Sequence, residues 1–162
     1  VPKIKRFAQE GLQVKLAISL HATRDEDRSA IMPVNKKYPI LSLIEACHEF
    51  VAATRRRVTF EWALIQGEND SAAEATRLAQ LLKGLLCHVN VIPLNPTAGY
   101  EGAPSDSSRV NHFVETLEKS GVPATIRVRR GIDIDAGCGQ LKSEVERKNQ
   151  AQKKESELIQ IR

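Results

Sequence analysis

Runs of strand-forming residues that alternate with helical stretches set the first limit on this fold. "QVKLAISLH" (Gln13–His21), "RRVTFEWALIQ" (Arg56–Gln66), "HVNVIPLNP" (His88–Pro96) and "ATIRVRR" (Ala124–Arg130) are rich in Val, Ile, Leu and Phe. Helical periodicity fills the gaps between them. "YPILSLIEACHEFVAAT" puts Ile40, Leu43, Ile44, Cys47 and Val51 on one stripe. Ser71, followed three residues later by Glu74, has the spacing of a capping box and opens a helix running to Leu86. "RVNHFVETLEKSG" carries Val110, Phe113, Val114 and Leu117 on one face and ends at Gly121, with Pro123 beyond. The opening "VPKIKRFAQEG" reads as a further helix.

The order β-α-β-α-β-α-β predicts an α/β fold, a parallel sheet covered by helices. Such a set of strands makes either a small open domain or one half of a β/α barrel. The chain starts without Met and already in helix, which favours the half-barrel and an expectation that residues are missing upstream. Residues 142–162 are dense in Lys, Glu, Gln and Arg and read as an exposed tail beyond a domain spanning 1–141.

Composition narrows the setting. A hydrophobic share of 41% excludes wholesale disorder. No apolar run approaches the roughly 20 residues needed to span a bilayer, and no signal peptide is visible. An odd count of three cysteines, without secretion signals, points to a reducing compartment and a cytoplasmic protein. Cys47 and Cys87 lie within apolar periodicity and read as buried, inert thiols. No CxxC or CxxxC pair occurs, so nothing in the chain holds zinc or an iron–sulfur cluster by itself. The net charge of +4 is carried in clusters: Lys36-Lys37, Arg55-Arg56-Arg57 and Arg127-Val128-Arg129-Arg130. These suit either a polyanion such as RNA or a solvated mixed-charge surface.

In parallel α/β folds, ligands bind at the carboxyl ends of the strands. The strand ends here carry Ser19-Leu20-His21, the "GENDS" turn around Asn69 and Asp70, Asn95 before Pro96, and the "GIDIDAGCGQL" loop with Cys138. Ser19 and His21 could contact a small ligand or cap the next turn. Asn95 could do the first, or simply make the Asn-Pro turn. The "GENDS" turn reads as a helix start. Asp133 and Asp135 read as solvated, not as metal ligands, and Trp62 as core. Cys138 is different. Gly137 and Gly139 on either side leave its thiol open, and Arg127, Arg129 and Arg130 could lower its pKa if the fold brings them near.

"AISLHATRDEDRSAIMPVNKKYP", "RRVTFEWALIQGENDS", "LLKGLLCHVNVIPLNP" and "GIDIDAGCGQL" together closely resemble the radical S-adenosylmethionine (SAM) methyl synthases that methylate adenine in RNA, the RlmN/Cfr family. The resemblance runs from Val1 to Leu141. It implies a partial, TIM-like β/α barrel of which this chain is the carboxyl-terminal half. It implies SAM contacts at Ser19, Leu20, His21 and Asn95, and a methyl-carrying role for Cys138. It also implies the chemistry. Carbon 2 of adenine cannot attack a sulfonium methyl group, so the cysteine takes a methyl from one SAM. A second SAM, cleaved at a 4Fe-4S cluster, then supplies the radical that activates it. The implied partners are ribosomal and transfer RNA and a reducing electron donor such as flavodoxin, for a complete protein that is monomeric and not membrane-bound.

The family's CxxxCxxC motif, resolving cysteine and Gly-Glu segment are absent from this sequence. The expectation is therefore a chain that alone neither binds the cluster nor methylates RNA. Other readings stay open: a half-barrel that has lost catalysis and serves as an RNA- or protein-binding module, a degenerate remnant, or an enzyme acting on carbon 8. An unpaired first strand further predicts self-association or poor solubility.

Overall fold

The computed structural model describes residues 1–94 and 102–127, which all belong to one compact unit. Asn95, Cys138, Asp133, Asp135 and the boundary at 141/142 lie outside the described residues. The elements run α1 (Pro2–Gln9), β1 (Leu16–Ser19), α2 (Asp25–Ile31), a 3-10 turn (Pro33–Lys36), α3 (Ile40–Thr54), β2 (Val58–Leu64), α4 (Ala72–Leu81), β3 (Cys87–Pro93), α5 (Ser107–Lys119) and β4 (Ala124–Ile126).

The strands form a parallel sheet in the order β1-β2-β3-β4. Crossovers between parallel strands are almost always right-handed. With every strand beside its sequence neighbour, right-handed crossovers put all the connecting helices on one face. A doubly wound sheet would need a reversal of strand order, and none occurs here. The topology is that of a β/α barrel segment.

Burial follows this one-sided cover. In β2, Val58, Phe60, Trp62 and Leu64 are fully buried, while Thr59, Glu61 and Ala63 between them are half-exposed. In β3, Cys87, Val89 and Val91 are buried and His88, Asn90 and Ile92 are not. The buried set meets Phe50 of α3, Leu78 of α4 and Phe113 and Leu117 of α5 in one core. Each such side chain contributes about 1.5–3 kcal/mol by leaving water. On the other face, register aligns Ser19, Glu61, Asn90 and Thr125 in one polar row across the sheet.

Local chemistry explains the helix ends. Ser71 accepts from the Glu74 main-chain N–H at 3.1 Å, as a capping residue should. The reciprocal half of the box is not made, because Glu74 faces Thr23 and Arg77 instead. Gly84, with φ 79°, turns the chain, so α4 stops at Leu81 and does not reach Leu86. The short helix α2 was not expected from periodicity. Asp25, Glu26 and Asp27 fill its first turn, where carboxylates complement the helix dipole.

Candidate ligand-binding rim

β1 ends at Ser19, and the next two residues build the rim. Leu20 extends the ladder by one bond, its N–H donating to the Glu61 carbonyl at 3.1 Å. Its side chain is fully buried, so Leu20 offers no side-chain atom to a ligand. Arg28 of α2, 3% exposed, turns inward beneath this turn. Its Nε donates to the Leu20 carbonyl at 3.1 Å and one terminal nitrogen to the Ser19 carbonyl at 2.9 Å. The other terminal nitrogen donates to Asn35 Oδ1 at 2.8 Å.

Asn35 is buried too, and its Nδ2 donates to the main chain and carboxylate of Asp25 and to Ser29. Asp25 Oδ1 also accepts from the Ile40 N–H at 2.8 Å and so caps α3 from outside that helix. The Ile40 and Asn35 bonds hold the Asp25 carboxyl below its ordinary range. The α2 segment thus acts as a bracket that fixes the strand end.

His21 sits past the strand with φ 62°, a left-handed conformation uncommon for a residue with a side chain. The strand-like run Gln13–His21 therefore does not stay extended through His21. The bend brings His21 Nδ1 to the Ala63 N–H, from which it accepts at 2.9 Å. With Nδ1 accepting, the neutral ring carries its proton on Nε2, an N–H without a partner among the described residues. Burial, and secondly the Arg28 charge, lowers the His21 pKa below the usual imidazole value. The ring is held neutral.

The "GENDS" turn does more than start a helix. Asn69, 5% exposed, donates to the carbonyls of His21 at 2.9 Å and Ala63 at 2.8 Å, and accepts from the Ile65 N–H at 2.8 Å. Asp70, also buried, accepts from the Gly67 N–H, from Ser105 Oγ and from Arg109, so it ties β2 to the start of α5. Glu74 accepts from the Thr23 main-chain N–H and hydroxyl, and from Arg77. Sequence reasoning missed Arg28, Asn69, Asp70 and Glu74 as rim supports.

Beside the rim on the open sheet face, Asn90 donates to Glu61 Oε2 at 3.0 Å, and His88 Nε2 lies 2.8 Å from Thr125 Oγ1. The end of β1 thus brings the Ser19 hydroxyl and a neutral His21 ring near the level of the Glu61 side chain on the neighbouring strand, a set with both donors and acceptors. That set suits a hydroxylated, heterocyclic ligand such as a nucleoside. Among the described residues, no group of three His, Cys, Asp or Glu side chains could hold a metal ion. None of the described helices is long and apolar enough to cross a membrane.

Two readings of the sequence hold in the core. Trp62 is fully buried against Phe113, with ring centroids 5.8 Å apart. Cys47 and Cys87 are buried, and burial pushes their thiols up to about 12 and about 11. The basic clusters divide. Lys36 and Lys37 follow β1 and Arg127 follows β4, at the rim end, whereas Arg55, Arg56 and Arg57 precede β2 at the opposite end.

No protein-family model matches the chain. It is 50% identical over 149 residues to the dual-specificity RNA methyltransferase RlmN 1 of Myxococcus xanthus, an alignment that covers 92% of this chain and 42% of that protein. It is 51% identical over 142 residues to the probable dual-specificity RNA methyltransferase RlmN 2 of Opitutus terrae, covering 87% and 33%. The crystal structure of a radical SAM methyltransferase from Sphaerobacter thermophilus superposes with a TM-score of 0.83 at 55% identity, over 86% of this chain and 41% of that one. A domain of the pyruvate-formate lyase-activating enzyme from Bacteroides vulgatus superposes at 0.60 with 15% identity, a likeness of fold alone. The chain thus spans roughly two fifths or less of the length of these methyltransferases.

Proposed function

We propose, from the premise that this chain is a homologue of the RlmN-type radical SAM RNA methyltransferases over part of their length, that it forms the SAM-binding and methyl-carrying half of such an enzyme. The reaction in this reading is methylation of adenosine at carbon 2 in large-subunit ribosomal RNA and in transfer RNA. The observation that carries the reading is the fixed tautomer of His21. A neutral ring, locked through Nδ1 to Ala63 just past the strand end and carrying its N–H on Nε2, suits the oxygen and nitrogen acceptors of an adenosyl group.

The described residues fit SAM in this respect. Ser19 and His21 would hold the adenosyl moiety, with Asn95 as a further contact. Leu20 would serve from beneath, as the packed residue that sets their spacing. SAM supplies an activated methyl group when bound. Cys138 is proposed to receive that methyl on sulfur, the flanking glycines giving it reach. The bracket of Arg28, Asn35 and Asp25 keeps the SAM-facing turn in place before any ligand arrives, which lowers the ordering cost of binding. The residues of this chain do not fit a 4Fe-4S cluster: its cysteines are not at ligand spacing. The cluster would be held by other parts of a complete protein, together with its electron donor.

The test is peptide mapping of the complete protein, purified without oxygen. An S-methyl group on Cys138, lost in a Cys138→Ala variant, is the expected result. An unmodified Cys138 in a preparation holding both cluster and SAM would overturn the carrier role.

A further inference from the structure

Five cations hold close ion pairs: Lys5 with Glu49, Arg6 with Glu10, Arg77 with Glu74, Lys119 with Glu115, and Arg109 with Asp70. A group of four at the amino-terminal end of the sheet does not. Lys15 directly precedes β1, Arg57 directly precedes β2, Arg55 caps α3, and Lys83 lies in the turn before β3. All four are exposed, and none has an ion pair or a side-chain hydrogen bond among the described residues.

Register places two of them at one level. Leu16 pairs with Val58, so Lys15 and Arg57 each stand one residue before the first paired residues of adjacent strands. Like charges gathered at one end of a sheet repel, and an anion lying against them relieves that repulsion. Arg55 adds a second sign. Its φ is 58°, at a helix end where glycine is the usual residue. An arginine side chain is kept there at a backbone cost that glycine would avoid.

This end is far from the proposed chemistry. β2 runs Val58–Leu64 between the two ends, which at about 3.3 Å per residue separates them by roughly 20 Å. A base seated at the Ser19–His21 rim cannot bring its own phosphates to Arg57.

We propose that Lys15, Arg55, Arg57 and Lys83 form a second contact for the RNA phosphate backbone, on the face opposite the rim. The inference rests on the RNA reading above and adds to it a site that anchors a distant part of a large, folded RNA. Exposed guanidinium groups match phosphate oxygens in a bidentate fashion, and the contact is independent of sequence.

The experiment uses the complete protein and two RNAs. One is a single strand of about five nucleotides around the target adenosine, short enough for one binding rim. The other carries the same adenosine on an A-form stem of about 15 base pairs, long enough to run from the rim past the far end of the sheet. The variant replaces Lys15, Arg55, Arg57 and Lys83 by Gln. Expected is a ten-fold or greater loss of affinity for the stem, with its log–log salt slope reduced by about 3–4, since each phosphate contact contributes about 0.9. Affinity for the short strand and for SAM stays unchanged.

Equal losses for both RNAs would place the cluster on the path to the rim and overturn the proposal. So would an unchanged affinity for the stem. If the unaltered protein binds neither RNA, the RNA reading itself fails, and this inference falls with it. Arg55→Gly separates binding from folding. It should raise Tm by relieving the left-handed backbone and still weaken the stem. A fall in Tm with no change in stem binding would mean that Arg55 only complements the helix end, and would count against the proposal.

Discussion

The side-chain amide of Asn69 ties the carbonyl of His21 to the strand that His21 faces: Nδ2 donates to His21 O at 2.9 Å and to Ala63 O at 2.8 Å. One planar group thus joins His21 and Ala63, 42 positions apart in the chain. Asn69→Ala would strand two carbonyls and the Ile65 N–H in a buried place. Unsatisfied buried groups cost about 1–3 kcal/mol each, with partial rescue by water, so a loss of about 2–4 kcal/mol is expected by urea unfolding. A change below about 0.5 kcal/mol, the range of ordinary surface substitutions, would show that the knot adds nothing to stability.

Arg28 is buried without a carboxylate in direct contact; its donors go to two carbonyls and to Asn35. Arg28→Met keeps most of the stem packing and removes the donors. It should cost about 2–3 kcal/mol and open the 19–24 turn to proteolysis before the rest of the sheet. SAM affinity of the complete protein should fall with it. Global unfolding with no preferential cleavage there would mean that the bracket supports the whole sheet instead of the rim.

His21 makes the rim pH-sensitive in one direction. Its folded pKa lies below the ordinary value of about 6.5. Between these two values the unfolded chain binds more protons than the folded one. Stability therefore rises with pH through that window and is flat above it. Protonation also removes the Nδ1 acceptor used by Ala63. The expected result is SAM affinity that stays constant through the ordinary imidazole pKa and declines only at lower pH, as the lowered folded pKa is approached. In His21→Asn, which also tolerates a left-handed backbone, the decline should vanish. An identical decline in that variant would assign it to another group.

Cys47 and Cys87, 0% and 5% exposed with thiols raised to about 12 and about 11, should resist alkylation in the native state at pH 8. Both should label together as denaturant unfolds the core. Rapid labelling of either in the folded protein would show that α3 or β3 opens locally.

The sheet was legible because burial imposes a period. Val58, Phe60, Trp62 and Leu64 alternate with Thr59, Glu61 and Ala63, and no helix keeps that spacing. The strand starts were less legible. Gln13, Val14 and Lys15 look strand-like but precede the paired residues, since pairing begins at Leu16. α2 has only seven residues and no apolar stripe, so nothing periodic announced it. The rim residues at Ser19–His21 could be found from the strand-end rule, but their supports could not. Arg28 and Asn69 look like surface residues in the sequence. They are buried because each completes main-chain groups that are distant in the chain, a matter of tertiary geometry.

Trp62 is the sole tryptophan of the chain, fully buried, and its indole Nε1–H has no hydrogen-bond partner. The molecule therefore carries one built-in optical reporter. An indole in an apolar site without a bond to its nitrogen emits to the blue of one in water, so a single emission band reports the β2–α5 core. Glu61 and Ala63, its neighbours in sequence, point to the opposite face of the strand. Ligand binding on the open face should leave that band nearly still, while loss of the α5 contact with Phe113 should move it to the red. Binding and unfolding can thus be followed separately in one sample, with no label attached.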